Sequence, residues 1–248
     1  MKETDIKAKL PVRVYTDHLI DKIFDKYEIK SPFLEIGCGT GDFLNKLEKR
    51  NLKGLGIDYS KEAVEISRSK LKSQNVKVEI ADFLTLKTQK FNSIFCFEVI
   101  EHIVEDIAFL DHINMFLETE GLLILTTPAK PEQFSKEDLY YGHQRRYTKR
   151  DLNDKLNIAG FSTLEFWSFS YLPYLFKPLI DRDQSTSKYN DMGERTKNSS
   201  FQYHPAVEKY VNLLYPIFSK IYFIFNIQDL FLNRDYGLHY LVVARKKR

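Results

Sequence analysis

Between residues 31 and 170 the chain switches repeatedly between two hydrophobic periods. Before that, residues 1–29 read as an N-terminal helical segment: apolar positions fall at helix spacing (Leu19, Ile20, Ile23, Phe24), and Pro32 discourages continuation. PFLEIG, LKGLGID, VKVEIAD and FNSIFCF then read as four short buried strands, with DFLNKLEKR and KEAVEISRSKLKSQ as amphipathic helices between the first three. After the fourth strand a helix is expected through about Leu117, then a turn at ETEG and a fifth strand at LLILTTP. Residues 129–147 read as a loop. TKRDLNDKLNIAG follows as a helix with Thr148 as its N-cap and Gly160 as its stop, then FSTLEFWSFS as a sixth strand and LHYLVVARK as the last. Strands alternating with helices call for an α/β fold, a mostly parallel sheet covered on both faces.

From residue 171 to 236 the alternation breaks, and this region reads as an insertion between strands six and seven, far longer than an ordinary connection. It carries a polar tract from Asp181 to Asn198, placed where a lid would be. Its apolar stretch from Leu213 to Leu232 is interrupted by Pro216, Lys220, Asn226, Gln228 and Asp229, so it does not read as a transmembrane segment. The many Tyr and Phe side chains of the insertion suit a substrate cap with an aromatic-lined pocket, a core helix, or the interface of a homodimer.

Composition narrows the class. With 248 residues, 43% of them hydrophobic, the chain can bury one large core, and a single domain over 1–248 is expected. A formal charge of +3, from 37 basic and 34 acidic residues, gives no broad footprint for nucleic acid. Cys38 and Cys96 fall in a tight loop and a buried strand, and MKETDIKAKL has no apolar leader, so a cytoplasmic, reducing setting is expected.

The candidate chemistry begins at LEIGCGTG, where Gly37, Gly39 and Gly41 lie between the first strand and the first helix after it. Glycine permits a tight turn and close ligand approach, and the helix start offers free N–H groups, so a nucleotide-like cofactor is expected. The dinucleotide fingerprint needs its third glycine one residue later, where this chain has Asp42, which argues against NAD and FAD. Glu35, two residues before Gly37, suits a cationic ammonium. Asp58, at the end of the second strand, can accept two ribose hydroxyls, and Asp82, at the end of the third, can accept an adenine amine. Tyr59 can lie against the ring. Each acid alone could instead cap a helix or start a turn; their recurrence at successive strand ends is what points to a ligand.

These features together resemble the class I S-adenosylmethionine-dependent methyltransferases, over about Ser31 to Ser170 and again in the last strand. The resemblance rests on EIGCGTG, Asp58, Asp82, FNSIFCFEVIEH and ETEGLLILTTP; Asn92 departs from the family's frequent Asp. It implies a Rossmann-like seven-stranded sheet with its last strand antiparallel, and S-adenosylmethionine as cofactor. The implied cofactor contacts are Glu35, Gly37, Cys38, Gly39, Gly41, Asp58, Tyr59, Asp82, Phe83 and Glu98, with Tyr15 closing over the methionine end.

Glu98, Glu101 and His102 in CFEVIEHIVED fall at i, i+3 and i+4, so a helix starting after Phe97 would turn all three to one side, beside the reactive methyl. Two roles are open. His102 can serve as a general base for a hydroxyl or amine acceptor, or the two carboxylates and the imidazole can hold Mg²⁺, Mn²⁺, Fe²⁺ or Zn²⁺. With His143 as a further ligand or catalytic group, the pattern resembles metal-dependent enzymes that methylate the terminal 2′-hydroxyl of small RNAs. EVIEH is also similar to the motif of ubiquinone-pathway O-methyltransferases. Arg145 and Arg146 read as helix-edge charges and Tyr147 as core. The reading is a methyltransferase acting on a small-molecule acceptor, at oxygen. The alternatives are an RNA terminal 2′-O-methyltransferase, an N- or C-methyltransferase of a natural product, and an inactive cofactor-binding partner subunit.

Overall fold

The computed structural model describes residues 11–87, 89–170, 229–230 and 232–247, without the side chains of residues 11–14 and 137. The expectations for residues 1–10 and for nearly all of the 171–236 insertion (its aromatic pocket, lid and dimer interface) lie outside the described residues.

The first helix, α1, spans Pro11–Lys26. Then β1 (Phe33–Ile36), α2 (Asp42–Lys49), β2 (Gly54–Asp58), α3 (Lys61–Lys70), β3 (Val76–Ile80) and β4 (Phe91–Phe97) follow in alternation. After α4 (Asp106–Phe116) come β5 (Leu117–Pro128), α5 (Lys136–Tyr141), α6 (Lys149–Ile158), β6 (Phe161–Phe169) and β7 (His239–Lys246). The seven strands form one sheet in the order β3-β2-β1-β4-β5-β7-β6. Strands β1 to β5 pair in parallel, and β7 runs antiparallel between β5 and β6. Both the α/β architecture and the reversed last strand are as expected.

The strands are apolar on both sides because helices cover both faces. In β4, Ile94 and Cys96 join a cluster with Phe109, Ile113, Leu152 and Leu156 from α4 and α6. Phe95, between them, turns the other way and meets Tyr15, Leu19, Phe43 and Leu47 from α1 and α2. Successive residues of a strand point to opposite faces, so a run such as FNSIFCF serves two cores.

Four boundaries differ from the hydrophobic pattern. Helix α3 stops at Lys70 because the Glu48 carboxylate accepts the N–H groups of Lys72 and Ser73, drawing the chain out of the helix. The turn expected at ETEG lies within β5 as an irregularity: Phe91 faces Leu117 but Ser93 faces Leu122, and Glu120 has φ +65°. The long helix expected after Phe97 is a 3₁₀ turn, Ile100–His102, separated from α4. The loop at 129–147 contains α5, whose first turn is closed by Asp138 accepting from Ser135 N and Oγ at 2.8 and 3.1 Å.

A buried ion network joins this loop to the sheet's second half. One oxygen of Asp106, 4% exposed, accepts from Lys155 Nζ (2.6 Å), Arg145 Nη1 (2.8 Å) and Tyr147 Oη (2.9 Å). Burial alone would raise the pKa of Asp106; the bonds from Lys155 and Tyr147 and the charges of Lys155 and Arg145 outweigh it and lower it. Arg145 is thus a structural partner rather than a helix-edge charge, while Tyr147 is core as expected. Asp106→Ala is expected to cost about 3 kcal/mol in denaturant unfolding, because Lys155 and Tyr147 lose their short bonds to it and keep only the longer contacts to Asp151 (3.7 Å) and Ile100 O (3.4 Å). With its folded pKa depressed, the ionised Asp106 contributes stability above the unfolded carboxyl pKa, and that contribution is lost as pH falls through the folded value. The stability gap between wild type and Asp106→Asn should therefore narrow as pH is lowered from about 5 to about 2. A gap independent of pH would remove the charge from this account.

Candidate active site

Glu35, Asp58, Asp82 and Glu98 stand at or just past the C-terminal ends of parallel strands, whereas Tyr15 lies on α1 and His143 follows α5. On the β1 side the chain leaves Ile36 into a loop whose three glycines have positive φ: 70° at Gly37, 51° at Gly39 and 76° at Gly41. A side chain on Gly37 would also approach Val99 Cγ2 within 2.6 Å, so position 37 requires glycine twice over. At Gly39 nothing among the described residues lies within 4 Å of where a Cβ would sit, which leaves the loop backbone open to close approach.

The loop is held from β2. Asp58, 6% exposed, accepts the N–H of Gly39 through Oδ2 and that of Ser60 through Oδ1, both at 2.8 Å. Burial raises its pKa, and the backbone N–H groups of Ser60, Gly39 and Tyr59 oppose this. Each carboxylate oxygen has a second lone pair, so bracing the loop leaves acceptor capacity for a ligand. Ser60, not Asp58, caps α3, through Ala63 N. Asp82 is exposed and caps the following turn through Leu84 N at 3.0 Å. Tyr59 is 52% exposed, whereas Phe83 is buried and packs edge-on to Phe109 and His112, so it is the Phe83 backbone that borders the strand end. Glu35 is buried on β1, and its charge, after burial itself, helps push the Cys38 thiol far above its ordinary pKa.

The second group of residues follows β4. Glu98 adopts φ +53°, a conformation uncommon outside glycine, and donates its N–H to Thr126 O at 3.1 Å. That left-handed residue turns the chain sharply. Glu98 is therefore not on one helical face with Glu101 and His102: its exposed carboxylate lies 3.8 Å from His239 Nε2 at the start of β7. Burial lowers the pKa of His239, partly offset by the Glu98 charge.

Glu101, by contrast, is fully buried. Its Oε2 accepts from Thr127 Oγ1 at 3.2 Å, and its Oε1 has no hydrogen-bond partner among the described residues. Burial, and then the charge of Glu98, hold its carboxyl well above the usual range. Its neighbour His102 is pushed down to about 4 by burial and by His143, so the imidazole is neutral at physiological pH. His143 arrives from the loop after α5. Gln144 N donates to Glu101 O, and His143 N to Asp138 O, both at 2.8 Å, and these bonds bring the two segments together. The His102 and His143 rings meet edge to face at 4.8 Å between centroids. One ligand atom each of Glu101, His102 and His143 lies within 4.8 Å of the others. The donor set fits a divalent cation: one buried carboxylate and two imidazoles.

Residues 10–165 match the family model of the methyltransferase domain. The chain belongs to that family. Residues 10–165 are thus a methyltransferase domain, and the seven-stranded sheet with its reversed last strand is the fold that the resemblance to class I S-adenosylmethionine-dependent methyltransferases implies. Among curated proteins, the methyltransferase is 25% identical over 103 residues to a ubiquinone biosynthesis O-methyltransferase of Actinobacillus pleuropneumoniae, covering 38% of this chain and 44% of the relative. It is 31% identical over 115 residues to (S)-coclaurine N-methyltransferase of Papaver somniferum, covering 43% and 33%. These matches span less than half the length of either relative. The N-methyltransferase NodS of Bradyrhizobium japonicum WM9 shares the fold, with TM-score 0.56 at 14% identity over 96% of this chain and 97% of that one.

In the methyltransferase the glycine loop, the Asp58 carboxylate and the Glu35 charge fit an adenosine cofactor with a cationic methionine end. Tyr15, expected over that end, is fully buried beside Phe169 and donates to Asp229 Oδ1 at 2.7 Å. The same carboxylate receives His18 at 3.0 Å and Lys22 at 2.6 Å, so one face of α1 grips the segment preceding β7. Sequence reasoning missed two residues of the site. His239 opens β7 ahead of the largely apolar run Tyr240–Ala244, and only the antiparallel placement of β7 brings it to Glu98. Asp138 stands five residues before His143, in a segment read as plain loop; an acid one short helix away from a candidate ligand was the available signal. No helix among the described residues is long and apolar enough to cross a membrane.

Proposed function

We propose that this methyltransferase transfers the methyl group to a hydroxyl oxygen of a small-molecule acceptor, with Glu101, His102 and His143 holding a divalent cation beside it. The observation that carries the reading is the buried Glu101 carboxylate, one oxygen of which has no partner among the described residues, with one ligand atom each of Glu101, His102 and His143 within 4.8 Å of the others. A buried carboxylate oxygen without a partner destabilises the fold, and a bound cation would offset that cost. Two nitrogens and one oxygen favour Zn²⁺, Fe²⁺ or Mn²⁺ over Mg²⁺, which prefers oxygen. When bound, such an ion lowers the pKa of a coordinated hydroxyl.

The chain's residues do the rest. The glycine loop, Glu35, Asp58, Tyr59 and Asp82 hold the cofactor with its methyl facing the end of β4. Glu101, His102 and His143 fix the acceptor oxygen for in-line displacement. Glu98 and His239 border the acceptor on the β7 side and can take up the displaced proton. A nitrogen acceptor is the second reading, favoured by the likeness to an N-methyltransferase.

The test is a transfer assay with S-adenosylmethionine and matched phenol, catechol, alcohol and amine acceptors, read by mass spectrometry. Oxygen-methylated product should disappear with a chelator and return with added Zn²⁺, Fe²⁺ or Mn²⁺. Amine products alone, indifferent to the chelator, would sink the proposal.

A further inference from the structure

Asp138 belongs to the same centre and has no counterpart in the motifs that pointed to it. Its carboxylate is 1% exposed, and both oxygens are engaged. Oδ1 faces His143 Nδ1 at 2.8 Å and accepts Arg146 Nε at 2.9 Å. Oδ2 accepts from Ser135 N at 2.8 Å and Ser135 Oγ at 3.1 Å. Its backbone carbonyl also takes the N–H of His143 at 2.8 Å. Arg146 in turn donates to Ala129 O at 3.3 Å, just past the end of β5, so the assembly is tied to the sheet. Arg146 is therefore a brace on this carboxylate and not an exposed helix-edge charge.

We infer that Asp138 is a positioning residue that fixes which nitrogen of His143 faces the Glu101–His102 site. The inference rests on the metal reading above. An ionised carboxylate with Arg146 on the same oxygen cannot donate a hydrogen bond, so His143 Nδ1 must carry the proton at that contact. The neutral ring then keeps its lone pair on Nε2. A carboxylate behind an imidazole in this way orients the ring and raises its basicity as a ligand. Packing alone would not require this, because an apolar residue could hold the ring without selecting a nitrogen. Arg146 and Ser135 serve the same end by fixing the carboxylate: the guanidinium on Oδ1 and the two Ser135 donors on Oδ2 leave it only the role of acceptor.

Two measurements test this. Nitrogen-15 NMR of histidine-labelled, metal-free wild type, at a pH where the ring is neutral, should show His143 as the Nδ1–H tautomer. An Nε2–H tautomer overturns the inference, with no variant needed. Calorimetric titration with Zn²⁺ alone should show Asp138→Ala binding about 10- to 100-fold more weakly than wild type. Affinity for S-adenosylhomocysteine should be unchanged, which would show that the fold is retained. Equal Zn²⁺ affinities in a folded variant overturn the inference. Should wild type itself bind no Zn²⁺, the metal reading falls, and the tautomer still decides the role of Asp138; it also decides alone if the variant does not fold.

Discussion

Glu101→Gln is expected to weaken Zn²⁺ binding by more than about 100-fold, beyond the roughly 10- to 100-fold expected for a residue behind a ligand. Glutamine keeps the size of the side chain and can still accept from Thr127 Oγ1. It removes the charge a cation needs and offers one carbonyl oxygen in place of two. Methyl transfer should fall in parallel, while affinity for S-adenosylhomocysteine stays within about twofold because the hydrogen bond of the Glu101 side chain goes to Thr127 and not to the glycine loop. Stability should move the other way. Glu101 is fully buried with one oxygen lacking a partner among the described residues, and such a group is costly in a folded core. The metal-free variant should therefore unfold at the same temperature as wild type or higher, as expected where a side chain is kept for activity at the expense of stability. Calorimetry, a transfer assay and thermal unfolding cover all four outcomes. Retained Zn²⁺ affinity would refute Glu101 as a ligand; lost Zn²⁺ binding with intact transfer would show that the ion plays no part in the reaction.

The second large effect is expected at Asp58. In Asp58→Ala, the loss of two charge-assisted bonds to ribose hydroxyls is worth about 3 kcal/mol, or roughly 100-fold in cofactor affinity. The loop itself also loses its brace, since the carboxylate holds Gly39 N and Ser60 N, each at 2.8 Å. Asp58→Asn separates the two contributions. An amide oxygen can still hold one of these N–H groups, so the Asn variant should recover much of the stability and less of the affinity. The check is a pair of titrations with S-adenosylmethionine and S-adenosylhomocysteine beside an unfolding curve. An alanine variant that binds within about threefold of wild type would show that Asp58 serves the loop alone.

The two halves of the site were not equally legible in the sequence. The candidate cofactor residues could be placed because they are local to strand ends: Gly37, Asp58 and Asp82 stand at or just past the end of a strand whose hydrophobic run announces where it stops. The structure puts all three on one edge of the sheet, since parallel strands joined by helices end on the same side. The other half depends on contacts distant in sequence. Helical spacing put Glu98 with Glu101 and His102, but the left-handed backbone of Glu98 ended that grouping and set it against His239 instead. No hydrophobic period encodes a single positive φ at a glutamate. His143 was named correctly as a neighbour of His102, yet what holds it there, Asp138 and the bond from Gln144 N to Glu101 O, follows from α5, whose six residues give too short a pattern to read.

The sequence by itself determined the order of the strands along the chain, the sheet with both faces buried and the glycine loop at its edge, because hydrophobic periodicity and turn chemistry act over a few residues. Only the tertiary structure decided which acid joins the histidines, which face α1 turns to Asp229, and how Asp106 gathers Lys155, Arg145 and Tyr147. Those choices are made where segments far apart in the chain exclude water together, and there each buried charge must find its partner across the fold.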